Sequence, residues 1–156
     1  MKKIMITGGA GFVGYHLAKK EIASGNEVTI IDNFLRPNMD EQFRNLIAEE
    51  RVIFLEKDIS LEETFKSLKQ DYYDIVYHLA AFNGTDNFYK YPAKVLRIGC
   101  LSTIFLLDWI CNQNARPKVI YTSSSETYAG TTQVLKESFP IPTPENIPLC
   151  IDDVTN

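Results

Sequence analysis

The sequence predicts an α/β fold built on a doubly wound parallel sheet with strand order 3-2-1-4-5. Three observations predict it. A short apolar run, Lys3-Ile4-Met5-Ile6, leads directly into the glycine turn Thr7-Gly8-Gly9-Ala10-Gly11-Phe12-Val13-Gly14 and then into a helix-like stretch. Five short runs rich in β-branched residues alternate with helical segments, as parallel strands covered on both faces do. Asp32 closes the second run, 18 positions after Gly14. Strand, glycine turn, helix and a later acidic residue together form the fingerprint of a Rossmann-type dinucleotide-binding unit.

The elements follow in order. Ile4–Thr7 reads as the first strand and Phe12–Ser24 as a helix, stopped by Ser24-Gly25-Asn26 because Gly is favoured just past a helix end. Glu27–Ile31 reads as the second strand, and residues 32–38, with Pro37, as a loop. A short helix over Asp40–Glu49 precedes a third strand, Val52–Leu55. Leu61–Lys69 reads as a helix, with Ser60 as its cap and Glu63 completing a capping box. Asp74–Leu79 is the fourth strand, Pro92–Asn114 the longest helix and Lys118–Thr122 the fifth strand. After Tyr128 the prolines at 140, 142, 144 and 148 predict irregular chain, and the run from Ile151 to Asn156 reads as a cut end. The expected organisation is a dinucleotide-binding domain over residues 1–130 and an irregular Pro-rich segment over 131–156, with later strands absent.

The 156 residues suffice for one domain with a real core, and 45% hydrophobic with 23% charged residues is ordinary globular composition. A net charge of −4 argues against nucleic acid or an anionic membrane as partner. The apolar run near the start is too short for a signal peptide or a membrane span. Cys100, Cys111 and Cys150 have no metal-type spacing, and their odd number fits reduced thiols in a cytoplasmic protein.

The candidate site residues lie where strands end. The turn fits both Gly9-x-Gly11-x-x-Gly14 and Gly8-x-x-Gly11-x-x-Gly14. Glycine there lets a diphosphate approach the backbone, and the helix behind it aims its positive end at the phosphates. Asp32 is expected to bond the ribose hydroxyls and to favour NAD over NADP, the alternative being a cap on the following loop. Arg36 nearby keeps NADP as a rival. Asp58 and Ile59 close the third strand toward the adenine, or Asp58 serves as a polar residue before the helix. Leu79, Ala80 and Ala81 lie beside the switch point of the sheet. His78 reads as a structural, hydrogen-bonded histidine. The hydroxyl cluster Thr122-Ser123-Ser124-Ser125 lies where substrate and nicotinamide should meet, or merely terminates the strand.

These motifs resemble those of the extended short-chain dehydrogenase/reductase family, the NAD-dependent sugar-nucleotide epimerases and dehydratases. The matching residues are Thr7-Gly8-x-x-Gly11-x-x-Gly14, Asp32-Asn33, Asp58-Ile59, His78-Leu79-Ala80-Ala81 and Ser123-Ser124-Ser125-x-x-Tyr128. The resemblance implies NAD as cofactor and a nucleoside-diphosphate sugar as substrate. It also implies Ser124 as the catalytic hydroxyl, with Glu126 as an acid/base helper. Cofactor contacts are expected from Gly8, Gly11, Phe12, Val13, Gly14, Asp32, Asn33, Asp58, Ile59, Leu79, Ala80 and Ala81.

The sequence departs from the family at several points. The family's Tyr-x-x-x-Lys pair follows the serine loop, where the Lys charge lets a phenol of pKa about 10 act near neutrality. No such pair follows Tyr128, and Tyr15-x-x-x-Lys19 sits on the first helix as a decoy. The resemblance also implies a carboxyl-terminal substrate domain, which is expected to lie outside these 156 residues. Gly99 stands where the family often has Asn, and Ala129 interrupts the usual Tyr-Gly. Ser125 replaces the Asp of 4,6-dehydratases, which lowers that reading and leaves epimerases and decarboxylases as better likenesses. The expected function is NAD-dependent epimerisation of a sugar nucleotide through a transient keto-sugar, the chain being its cofactor half and inactive alone. The rivals are a non-catalytic dinucleotide-binding module and an NADP-dependent carbonyl reductase. The 92–114 helix is apolar nearly all round, as helices buried on most sides are; the resemblance implies a neighbouring helix to cover it, and without that helix an exposed apolar face is expected, with self-association (a homodimer) or only marginal stability.

Overall fold

The computed structural model describes residues 1–35, 39–68, 72–135 and 142–150; of Thr132, Gln133 and Leu135 only the backbone is described. Arg36, Lys69, Pro140 and residues 151–156 therefore lie outside the described residues. The chain divides into two compact units, Met1–Tyr121 and Thr122–Asn156.

In the first unit the parallel strands β1 (Lys3–Thr7), β2 (Glu27–Asp32), β3 (Val52–Glu56), β4 (Ile75–His78) and β5 (Lys118–Tyr121) pair in the order β3-β2-β1-β4-β5. This is the order the glycine fingerprint predicts. The period of two along each strand builds two cores. Ile4, Ile6, Val28 and Ile30 face one side, where α1 (Phe12–Ala23) and α2 (Glu41–Ile47) pack with Ala18, Ile22, Phe43 and Leu46. Met5, Ile31 and Val76 face the other, against Phe65 of α3 (Glu62–Ser67) and Leu106, Trp109 and Ile110 of α5 (Pro92–Cys111). The inner strands are thus buried on both faces and carry almost continuous apolar sequence.

The helix ends follow from local chemistry. Gly14, Ala18 and Ile22 form the buried stripe of α1, and the two small residues bring it close to the sheet. Gly25, at φ +83°, ends it, with Gly25 N–H donating to the Ile22 carbonyl at 2.9 Å and Asn26 N–H to that of Glu21 at 3.1 Å. Asp40 caps α2 by accepting from Phe43 N–H at 2.7 Å. Pro92 sits in the first turn of α5, where its missing N–H costs nothing.

Three expectations are corrected. Ser60 does not cap α3: its hydroxyl donates to Asp58 Oδ1 at 2.7 Å, and Leu61 holds the cap position without a side-chain bond. The helix begins at Glu62, one residue later than expected, so Ser60 stands one position before the cap. A further helix, α4 (Thr85–Lys90), stands where no element was expected, because it buries none of its residues and so carries no apolar period. In the second unit, Ser125–Tyr128 forms a 3-10 turn that runs into α6 (Ala129–Leu135), where irregular chain was expected. Buried Thr131 explains α6. Its hydroxyl donates to the Pro148 carbonyl at 2.7 Å and accepts from Cys150 N–H at 3.1 Å, so the Pro-rich chain is tied to the helix.

Candidate functional site

A cleft of about 500 Å³ opens in the first unit at the carboxyl ends of β1, β2, β3 and β4. Its floor is the glycine turn. Gly8 has φ +73°, and a Cβ there would lie 2.7 Å from Ala80 N and 2.8 Å from Ala80 Cα. A Cβ on Gly14 would collide with the Gly8 carbonyl and come within 2.6 Å of Gly9 Cα. Gly9 instead packs on the Ile30 side chain and does not line the cleft, so the Gly8-Gly11-Gly14 spacing is the one that shapes it. Behind the floor stands the N-terminus of α1. Gly11 at its cap offers no side-chain bond, and the first turn has no acidic residue. The first-turn N–H groups and the positive helix end thus face the cleft without an internal anion.

Asp32 braces this floor. It is 9% exposed; Oδ2 accepts from Ala10 N–H at 3.0 Å and Oδ1 from Phe34 N–H at 2.8 Å. The first bond joins the glycine turn to the end of β2, and the second is the local loop cap foreseen as its alternative role. A carboxylate has lone pairs for about four partners, so acceptor capacity remains for a ligand hydroxyl. Asp58 Oδ1 accepts from Ser60 N–H at 2.8 Å as well as from the Ser60 hydroxyl. Asn33 Oδ1 accepts from Leu35 N–H at 3.0 Å.

His78 ends β4 and is 3% exposed. The Thr103 hydroxyl donates to the Gly99 carbonyl at 2.9 Å, so toward His78 it accepts, from Nε2–H at 3.3 Å. Nδ1 is then the acceptor for the Thr7 hydroxyl at 2.8 Å, and Thr7 Oγ1 accepts Ala80 N–H at 3.3 Å. This directional chain ties β1, β4 and α5 to the residue that packs on Gly8, and it requires a neutral ring. Burial pushes the His78 imidazole down to about 4. The histidine is structural, as its setting in the sequence implies.

All twelve residues expected to contact a cofactor line this one cleft: Gly8, Gly11, Phe12, Val13, Gly14, Asp32, Asn33, Asp58, Ile59, Leu79, Ala80 and Ala81. Ser124 and Glu126 belong to the second unit. There the Ser124 hydroxyl caps the 3-10 turn by accepting from Glu126 N–H at 3.2 Å. Tyr15 and Lys19 lie on α1, the ammonium 5.5 Å from the centre of the phenol ring. Six further residues line the cleft: Ile31, Leu35, Lys57, Phe82, Asn83 and Ile98. Lys57 and Phe82 adjoin residues already singled out, so adjacency to a strand-end motif was a usable signal. Ile98 carried none, because only the packing of α5 brings it there.

Residues 4–147 match the model of the NAD dependent epimerase/dehydratase family. Over 127 residues the chain is 33% identical to UDP-glucuronic acid decarboxylase 1 of Danio rerio, covering 81% of this chain and 28% of that protein. The crystal structure of the Bordetella bronchiseptica enzyme WbmF in complex with NAD+ superposes with a TM-score of 0.71 at 29% identity, covering 80% of this chain and 37% of the other. A UDP-galactose 4-epimerase structure gives a TM-score of 0.74 at 27% identity, covering 95% and 44%. The chain spans less than half the length of each of these relatives. A fold, a glycine cradle and a family match over nearly the whole sequence agree, and the chain belongs to the NAD dependent epimerase/dehydratase family.

Proposed function

We propose that this chain holds NAD in the cleft, as the dinucleotide-binding part of an enzyme that modifies a nucleoside-diphosphate sugar. One observation carries the reading: the close approach of Gly8 to Ala80 beneath the uncapped, acid-free N-terminus of α1. A cradle that any Cβ would fill, facing a positive helix end, fits a diphosphate. In this reading Gly8, Gly11 and Gly14 receive the diphosphate, and Asp32 accepts from the ribose hydroxyls. Asp58 and Ile59 border the adenine, and Leu79, Ala80 and Ala81 leave room for the nicotinamide half. NAD held there would supply a reversible hydride acceptor for a sugar carbon. Ser124 keeps its own hydroxyl proton for a sugar oxygen, since its bond to Glu126 N–H uses only a lone pair.

Epimerisation is the outcome we propose, in keeping with the similarity to a UDP-galactose 4-epimerase. Decarboxylation is the second reading, favoured by the similarity to UDP-glucuronic acid decarboxylase 1. The 156 residues hold the cofactor without turning substrate over, because no Tyr-x-x-x-Lys follows Tyr128. A second copy of the chain covers the exposed face of α5.

Titration with NADH, followed by its fluorescence, tests the cleft. The chain binds NADH, and Gly8→Ala abolishes binding. Equal binding by Gly8→Ala, or none by the native chain at millimolar ligand, overturns the reading. Incubation with NAD and UDP-, dTDP- and GDP-sugars gives no product; turnover by the pure chain overturns the assignment of inactivity.

A further inference from the structure

Lys57 is the cation among the described residues that line the cleft, and it has no role in the reading above. It follows directly on β3, and its N–H donates to the Asp32 carbonyl at 3.0 Å. That bond fixes it beside the end of β2, on the wall that also carries Asp32, Asn33 and Asp58. Its side chain is half-buried. Lysine lays its aliphatic stem along a surface and keeps its charged head toward solvent. Two carboxylates share its wall, yet it pairs with neither. Both Asp32 oxygens accept backbone N–H groups, and Asp58 Oδ1 serves Ser60. The ion pairs among the described residues are Lys66–Glu62 and Lys90–Asp86. The ammonium of Lys57 therefore keeps its donors for a ligand in the cleft.

Its position decides which part of a ligand it meets. The ends of β2 and β3 form the adenosine end of the cleft, away from the α1 N-terminus that takes the diphosphate. Asp32 there accepts from ribose hydroxyls and repels a phosphate on the 2′ oxygen. A cation on the same wall offsets that repulsion and donates to the phosphate. We propose that Lys57 is a specificity-determining residue that binds an adenosine 2′-phosphate, so that the cleft accepts NADP as well as NAD. This inference rests on the reading of the cleft as a dinucleotide site. If Lys57 instead only balanced the two carboxylates, its loss would change both affinities alike.

Calorimetric titration of the 156-residue chain with NAD and NADP, at one fixed ionic strength, tests this. Lys57→Gln lowers NADP affinity about tenfold, the scale of a lost charge-assisted hydrogen bond, and leaves NAD within about twofold. Lys57→Glu lowers NADP affinity further, and Lys57→Arg, which keeps the charge, retains it. Adenosine 2′,5′-bisphosphate set against 5′-AMP shows the same contrast, since it carries the phosphate without the nicotinamide half. An unchanged NADP-to-NAD ratio in Lys57→Gln overturns the assignment of Lys57 and leaves the dinucleotide reading standing. So does native chain that binds NAD and shows no binding of NADP. Failure of the native chain to bind either ligand overturns both.

Discussion

His78 shows how one buried side chain can hold a site without touching a ligand. Its ring accepts from Thr7 and donates to Thr103, and the Thr7 hydroxyl fixes the Ala80 N–H that packs on Gly8. Both ring nitrogens are committed in the neutral form, and protonation would turn Nδ1 from acceptor into donor. Burial lowers the folded-state value to about 4 from the ordinary 6.5. The unfolded chain therefore takes up the proton first as pH falls. The contribution of the neutral ring is full above pH 6.5 and is lost as pH falls toward 4. A shift of this size corresponds to about 3 kcal/mol. Urea denaturation across that range should show stability falling with pH, and His78→Gln should remove that part of the slope. An identical slope in the variant would show that other groups carry it.

At the scale of elements, α5 combines two roles that its composition does not separate. Its apolar residues run nearly all round, but the sheet takes only the side carrying Ser102, Leu106, Trp109 and Ile110. Leu96, Ile104 and Leu107 remain 67%, 49% and 46% exposed. Spaced eight and three residues apart, they share one face of the helix. A second copy covering that face would bury it, and like charges placed there would oppose the contact. Leu96→Glu with Leu107→Glu should shift sedimentation velocity from associated species to monomer without loss of helical circular dichroism. A native chain already monomeric at tens of micromolar would sink this expectation. The same scale explains the missed α4: a helix with no buried residue leaves no period to read. Ser60 is not the cap because α3 begins one residue later than the motif places it, with Leu61 at the cap position.

For the whole molecule, a ligand that binds only the folded chain adds to its stability by mass action. NAD at a hundredfold its dissociation constant should raise the unfolding free energy by about 2.7 kcal/mol. Thermal melts with and without NAD read this directly, and an unmoved midpoint would count against the cleft as its site. The sequence by itself determined the order of the five strands, the glycine cradle and the acidic strand ends. Each is written locally, as a period of two or of 3.6 and as a residue type at a turn. Twelve cleft residues were legible for that reason, since the carboxyl ends of parallel strands all point one way. Only the tertiary structure decided that Gly8 rather than Gly9 faces the cleft, that Ile98 joins its wall, and that Thr7, His78 and Thr103 form one chain. These contacts join residues dozens of positions apart. Right-handed crossovers and the packing of α5 set them, and no local pattern carries that information.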